Sequence, residues 1–113
     1  MEKRRSLRVH CEIESNYKNL AQTTATVLDF TTVNDLSEGG LRFRTNHFLP
    51  VNHRVYFRIQ LPKVPAIESM AELTWIREIP NLNCYEAGAR FVELPLQHRR
   101  TLQDFIFQNL VTL

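Results

Sequence analysis

A mainly β fold, a six-stranded antiparallel β-barrel with a C-terminal α-helix and a flexible basic N-terminal arm, is what this sequence predicts. Three observations carry the prediction. Apolar residues recur at period two in short segments separated by turn residues, one apolar pattern of helical period follows position 95, and four of the first eight residues are cationic. Six strands with turns between them can close on themselves, which removes the unpaired edges of an open sheet.

Each element has its own justification. Val9, Cys11 and Ile13 alternate with His10, Glu12 and Glu14, a half-buried strand that Tyr17 continues. The β-branched segment from Thr23 to Val33 reads as a second strand, with Val27 and Leu28 breaking the alternation as a bulge would. Residues 35–40 read as a turn. Leu41, Phe43 and Thr45 then alternate with Arg42 and Arg44, a third strand with a cationic outer face. Val55, Phe57, Ile59 and Leu61 form the fourth, ended by Pro62 and Pro65. Met70 to Ile79 is the fifth and contains Trp75; a turn over 81–83 leads to the sixth, Cys84 to Glu93, with Tyr85, Ala87, Ala89 and Phe91 on one face. Pro95 suits a first helical position, and Leu102, Phe105, Ile106, Leu110 and Leu113 recur at helical spacing.

The 113 residues are expected to form a single domain: an arm over 1–8, a barrel over 9–94 and a helix over 95–113. The longest apolar runs are only a few residues, so neither membrane insertion nor a secretory leader is expected, and the chain reads as cytoplasmic. A net charge of +2 is too small to mark the surface as a binder of nucleic-acid polymers. Its distribution says more: Lys3, Arg4, Arg5 and Arg8 face Glu2 alone, and eleven of the 14 cations are arginines, whose forked donors suit planar or divalent anions. Cys11 and Cys84 lack metal-ligand spacing and read as small core residues, so no metal is expected. With scattered histidines and no Gly-rich phosphate loop opening a helix, the chain is not expected to be an enzyme.

Two short signals remain. Arg4-Arg5-Ser6-Leu7-Arg8 sets two guanidiniums four residues apart, on one side of a strand or a helix. Asp35-Leu36-Ser37-Glu38-Gly39-Gly40 gathers a carboxylate, a hydroxyl and side-chain-free backbone. Read alone, the second is also an ordinary Asx-type turn in which Asp35 and Ser37 cap their own backbone. Together, and on this strand order, they resemble the Arg-x-x-x-Arg and Asp/Asn-x-Ser-x-x-Gly signatures of the PilZ domain family. The run Tyr85-Glu86-Ala87-Gly88-Ala89-Arg90-Phe91 before a helix is similar to that family's last strand.

The resemblance implies a receptor for the bacterial second messenger cyclic di-GMP, a ligand rather than a cofactor. By the same resemblance Arg4 and Arg8 would meet phosphates or the guanine O6 and N7 atoms. Asp35 would accept from the guanine N1–H and N2–H₂ groups, Ser37 would bond to phosphate or to the turn, and Gly40 would permit positive φ and close approach. Arg5, Gly39, Arg44 and Trp75 are weaker candidates. Arg44 also reads as a solvated residue, and Trp75 reads first as core packing, with guanine stacking as the alternative. The implied output is a separate protein target in motility, biofilm or exopolysaccharide, or virulence control. Two other readings stay open: a PilZ-like adaptor acting through protein contacts with weak or no nucleotide binding, and a small barrel binding single-stranded nucleic acid, which the low net charge disfavours. Phe107 and Val111 lie off the helix's main apolar stripe, where they could support self-association.

Overall fold

The computed structural model describes residues 7–20 and 28–111. In chain order the elements are β1 (Val9–Asn19), β2 (Asp29–Leu36), β3 (Gly40–Thr45), β4 (Arg54–Ile59), β5 (Ile67–Ile79), β6 (Cys84–Glu93) and α1 (Leu96–Val111). All neighbouring strands pair antiparallel, in the order β1-β2-β3-β6-β5-β4, and β4 pairs back onto β1 to close the barrel. The expected fold class is therefore observed.

Period-two patterning places the core. Inward residues of every strand are buried, and Val33, Phe43, Phe57, Ala71, Leu73 and Ala87 have no solvent exposure. Tyr17, Phe43 and Phe57 pack as one aromatic cluster, with centroids 4.8–6.4 Å apart. The Tyr17 hydroxyl, which could not be buried unpaired, shares a 2.6 Å hydrogen bond with Thr45. Helix α1 contacts β5 and β1, and its Leu102 and Ile106 join the barrel core.

Several boundaries differ from expectation. Residues 23–27 lie outside the described residues, as do Arg4 and Arg5 of the arm and the Val27 side of the expected bulge. The strand expected to end at Val33 runs on to Leu36, so Asp35 is a strand residue and the turn is confined to 37–39. The irregularity in β2 lies at Asn34, where Val33 pairs with Phe43 but Asp35 pairs with Arg42. Strand β5 begins three residues early, at Ile67, and β4 stops at Ile59 although Leu61 remains buried. Pro95 stands just ahead of α1 instead of inside it; its carbonyl accepts the Arg99 N–H at 2.8 Å. That role uses only the acceptor, which proline retains.

Trp75 is the main correction. It is 39% exposed, not a core residue. The register of β5 against β6 shifts between Leu73 and Trp75, which inserts Thr74 as an extra residue. A one-residue insertion flips every following side chain to the other face, and here it turns the indole outward over Gly88. A Cβ on Gly88 would stand 2.6 Å from Trp75 Cε2.

Candidate functional site

The β2–β3 turn is built by Ser37. Its Oγ accepts the backbone N–H groups of Gly39 and Gly40, each at 3.2 Å, while its own N–H donates to the Gly40 carbonyl at 3.0 Å. Ser37 thus caps the turn as its composition allows. Gly40 is needed for a different reason from the one expected. No glycine among the described residues has positive φ; instead Gly40 pairs with Arg90, and a Cβ there would collide with the Ala89 carbonyl oxygen. Gly39 contributes its carbonyl, which accepts the Phe91 N–H at 2.8 Å and pins the turn onto β6.

Against this turn lies an open cavity of about 240 Å³. Arg8, Ser37, Gly39, Gly40 and Arg42 line one side, and Thr74, Trp75, Gly88 and Arg90 line the other. Arg8, from one signature, and Ser37, Gly39 and Gly40, from the other, therefore meet at one concave surface. Among the described residues it is a cationic surface: Arg8, Arg42 and Arg90 all reach it, and Arg90 is anchored by Glu72 at 2.5 Å. Trp75 adds an indole, and the small Gly88 beneath it leaves room for a flat ring.

Asp35 is a strand residue and not the turn cap that the turn read alone would allow. It is 4% exposed and lies beside the cavity lining, with Oδ2 accepting Arg42 Nε at 2.6 Å. His10 Nδ1 stands 2.5 Å from Oδ1, a close charge contact, but no directed hydrogen bond satisfies that oxygen. Arg42 also donates through Nη1 to Glu86, and Glu86 accepts Arg77 Nη2 at 2.7 Å. The result is a line of alternating charge across four strands, Asp35–Arg42–Glu86–Arg77, on the outer face of the barrel, with the His10 imidazole of β1 at its end. Burial pushes the Glu86 carboxyl up, but hydrogen bonds and charge from Arg77 and Arg42 outweigh it and hold the group below its ordinary value. Those hydrogen bonds to carboxylates likewise raise the Arg42 pKa, Asp35 contributing most.

Arg44 does not reach the cavity. It is exposed and lines a separate groove with Glu12, Glu14, Thr32 and Asn34. Sequence reasoning left out His10, Arg42, Thr74, Gly88 and Arg90 as site residues. Their spacing would have been informative only with the strand register, because they come from four strands. Cys84 is buried, whereas Cys11 is half-buried and packs against the core from its edge; burial first, then the Asp35 charge, pushes the Cys11 thiol up to about 11 despite Arg42. No group of metal-ligating residues and no membrane-spanning helix occurs among the described residues.

The PilZ domain model matches residues 2–108. The chain belongs to the PilZ domain family. The domain is similar in structure to the Bacillus subtilis inhibitor of motility MotI/DgrA, with a TM-score of 0.81, 14% identity, and coverage of 98% of this chain and 53% of that one. It is also similar to the PilZ domain of Escherichia coli YcgR, solved with c-di-GMP (TM-score 0.71, 18% identity, 96% and 92% coverage). A third likeness is to the K. pneumonia MrkH–c-di-GMP complex, with a TM-score of 0.75, 14% identity, and 98% and 54% coverage. At such identities the likeness is one of fold, and the chain spans about half the length of MotI/DgrA and MrkH. No curated protein sequence matches the chain.

Proposed function

We propose that this PilZ domain is a receptor for cyclic di-GMP that relays the messenger to a separate protein target in motility, biofilm or exopolysaccharide, or virulence control. The observation that carries the reading is the convergence of Arg8, the Ser37–Gly40 turn and Trp75 on one cationic cavity. Cyclic di-GMP has two phosphates and two guanines, so its receptor needs both forked cations and a flat apolar surface. That fold relatives were solved with this ligand favours the same reading.

In this proposal Arg8, with Arg4 and secondarily Arg5 from the preceding arm, binds phosphate or the guanine acceptor edge. Ser37 keeps the Gly39 and Gly40 backbone in the shape that lines the cavity. Asp35, with Oδ1 lacking a directed bond, accepts from guanine N–H groups, which adenine does not present in that pattern. Trp75 stacks on a base. Arg44 is a peripheral contributor at most, reached only by a ligand extending past Arg42.

Isothermal titration of cyclic di-GMP into the wild type and Arg8→Ala, with cyclic di-AMP and GTP as controls, tests the proposal. Specific binding lost in the variant supports it. Absence of binding to the wild type would leave the adaptor reading, in which the domain acts through protein contacts alone.

A further inference from the structure

Arg42 belongs to neither signature, yet the fold holds it more firmly than any other cation of the cavity. Its side chain is 28% exposed, while the two carboxylates that grip it, Asp35 and Glu86, are 4% and 8% exposed as residues. The grip is planar. Nε donates to Asp35 Oδ2 and Nη1 to Glu86 Oε2, so the guanidinium is fixed at two points and cannot rotate about either bond. Glu86 is braced in turn from the far side, where Oε1 accepts Arg77 Nε at 3.1 Å and Nη2 at 2.7 Å. Of the five N–H donors of a guanidinium, two are thus engaged. Those on Nη2 have no hydrogen-bond acceptor among the described residues, and Arg42 lines the cavity.

The strand register sharpens the point. Glu86 lies directly opposite Arg44, and Arg42 lies opposite Gly88. Arg42 reaches Glu86 on the diagonal, and the place a side chain at 88 would take is filled by the Trp75 indole. A surface arginine would lose much rotameric freedom on binding an anion, whereas one already immobilised has little left to lose.

We propose that Arg42 is a ligand contact of this site, donating from Nη2 to an anionic or carbonyl oxygen of the bound nucleotide, and that Glu86 is its positioning residue. The proposal rests on the nucleotide-receptor reading above for the identity of the ligand. It assigns Glu86, which does not line the cavity, an effect on affinity that passes wholly through Arg42. A purely structural ion pair would change stability and leave affinity alone.

The test uses the full chain as wild type, Glu86→Gln, Arg42→Lys and Arg77→Ala, with folding checked by circular dichroism. Cyclic di-GMP affinity is measured by titration, and the arginine Nε–H signals are followed by ¹⁵N NMR. A contact to a charged group carries roughly tenfold to hundredfold in affinity, so Arg42→Lys, which keeps the charge but loses the fork, should weaken binding by at least about tenfold. Glu86→Gln should weaken it by roughly tenfold, Arg77→Ala by about twofold, and Glu86→Gln should shift the Arg42 Nε–H signal. Wild-type affinity in folded Glu86→Gln and Arg42→Lys, or an Arg42 signal indifferent to Glu86→Gln, would overturn the proposal. A wild type that binds no cyclic di-GMP sinks the receptor reading instead. Inorganic pyrophosphate then serves as probe: shifts at the Arg42 Nε–H signal that Glu86→Gln abolishes sustain the clamped anion contact, and their absence refutes it.

Discussion

Arg42 and Arg44 stand two residues apart on the outward face of β3, with the same chemistry and nearly the same sequence surroundings. Their fates diverge. Arg42 is locked between Asp35 and Glu86 at the edge of a cavity; Arg44 is exposed, makes no ion pair among the described residues and borders a groove carrying Glu12 and Glu14. The difference comes from the neighbouring strands. The bulge at Asn34 lets Val33 and Leu36 both face the core while Asp35 turns outward opposite Arg42, and Glu86 reaches Arg42 from the next register position of β6. Alternation along one strand says which face a side chain takes. What it meets there depends on the register of two others.

The largest expected effect breaks the Arg42 half of the comparison outright. Arg42→Ala takes the guanidinium from between two buried carboxylates, leaving Glu86 to Arg77 alone and Asp35 to His10 alone, and losing one member of a buried ion-pair set costs roughly 3–5 kcal/mol. Thermal or denaturant unfolding should therefore show a strong loss, whereas Arg44→Ala should change stability by less than about 0.5 kcal/mol, as exposed substitutions do. Equal effects of the two would contradict the assigned difference. Next in size is Gly40→Ala. The added methyl meets the Ala89 carbonyl, backbone that cannot step aside cheaply, and overpacking of this kind costs about 1–3 kcal/mol. A variant with wild-type stability would mean that β3 and β6 do not approach as closely as the structure has them.

A smaller effect depends on pH. Glu86 has its folded pKa below the ordinary 4.5 because Arg77 and Arg42 favour its charged form over the opposing influence of burial. Its contribution to stability is then fully present above the unfolded value and is lost as pH falls through the folded one. Glu86→Gln should flatten the acid limb of the stability profile below about pH 4.5 relative to wild type. Unchanged steepness in that window would remove Glu86 from the ladder's electrostatics. The smallest expected effect concerns binding: Arg44→Ala should leave cyclic di-GMP affinity within about twofold of wild type, well inside the effect of one lost contact to a charged group.

Much of the fold was legible because the inward positions of β3 and β4 follow strict alternation, and the helix follows its own period. Legibility failed at the bulges. Thr74 and Asn34 each add one residue; Thr74 is an ordinary strand former that marks no bulge, and Asn34, a poor one, read as the end of the strand. Trp75 was consequently read first as core, and Asp35 was placed in the turn instead of the strand. For the candidate site, Ser37 and the glycines were readable from turn chemistry, although Gly40 proves necessary for its contact with β6 and not for its dihedral freedom. His10, Arg42 and Arg90 could not be assembled from spacing, because their proximity is a property of the closed sheet.

The central claim is that the Arg8-lined cavity is a cyclic di-GMP site. Its most direct test is one titration series of cyclic di-GMP into the wild type and Arg8→Ala under identical salt, with cyclic di-AMP as the competing dinucleotide. The account predicts saturable binding to the wild type, a loss of roughly tenfold or more in the variant, and no comparable response to the adenine ligand. Undiminished binding by Arg8→Ala, or equal affinity for both dinucleotides, would contradict it.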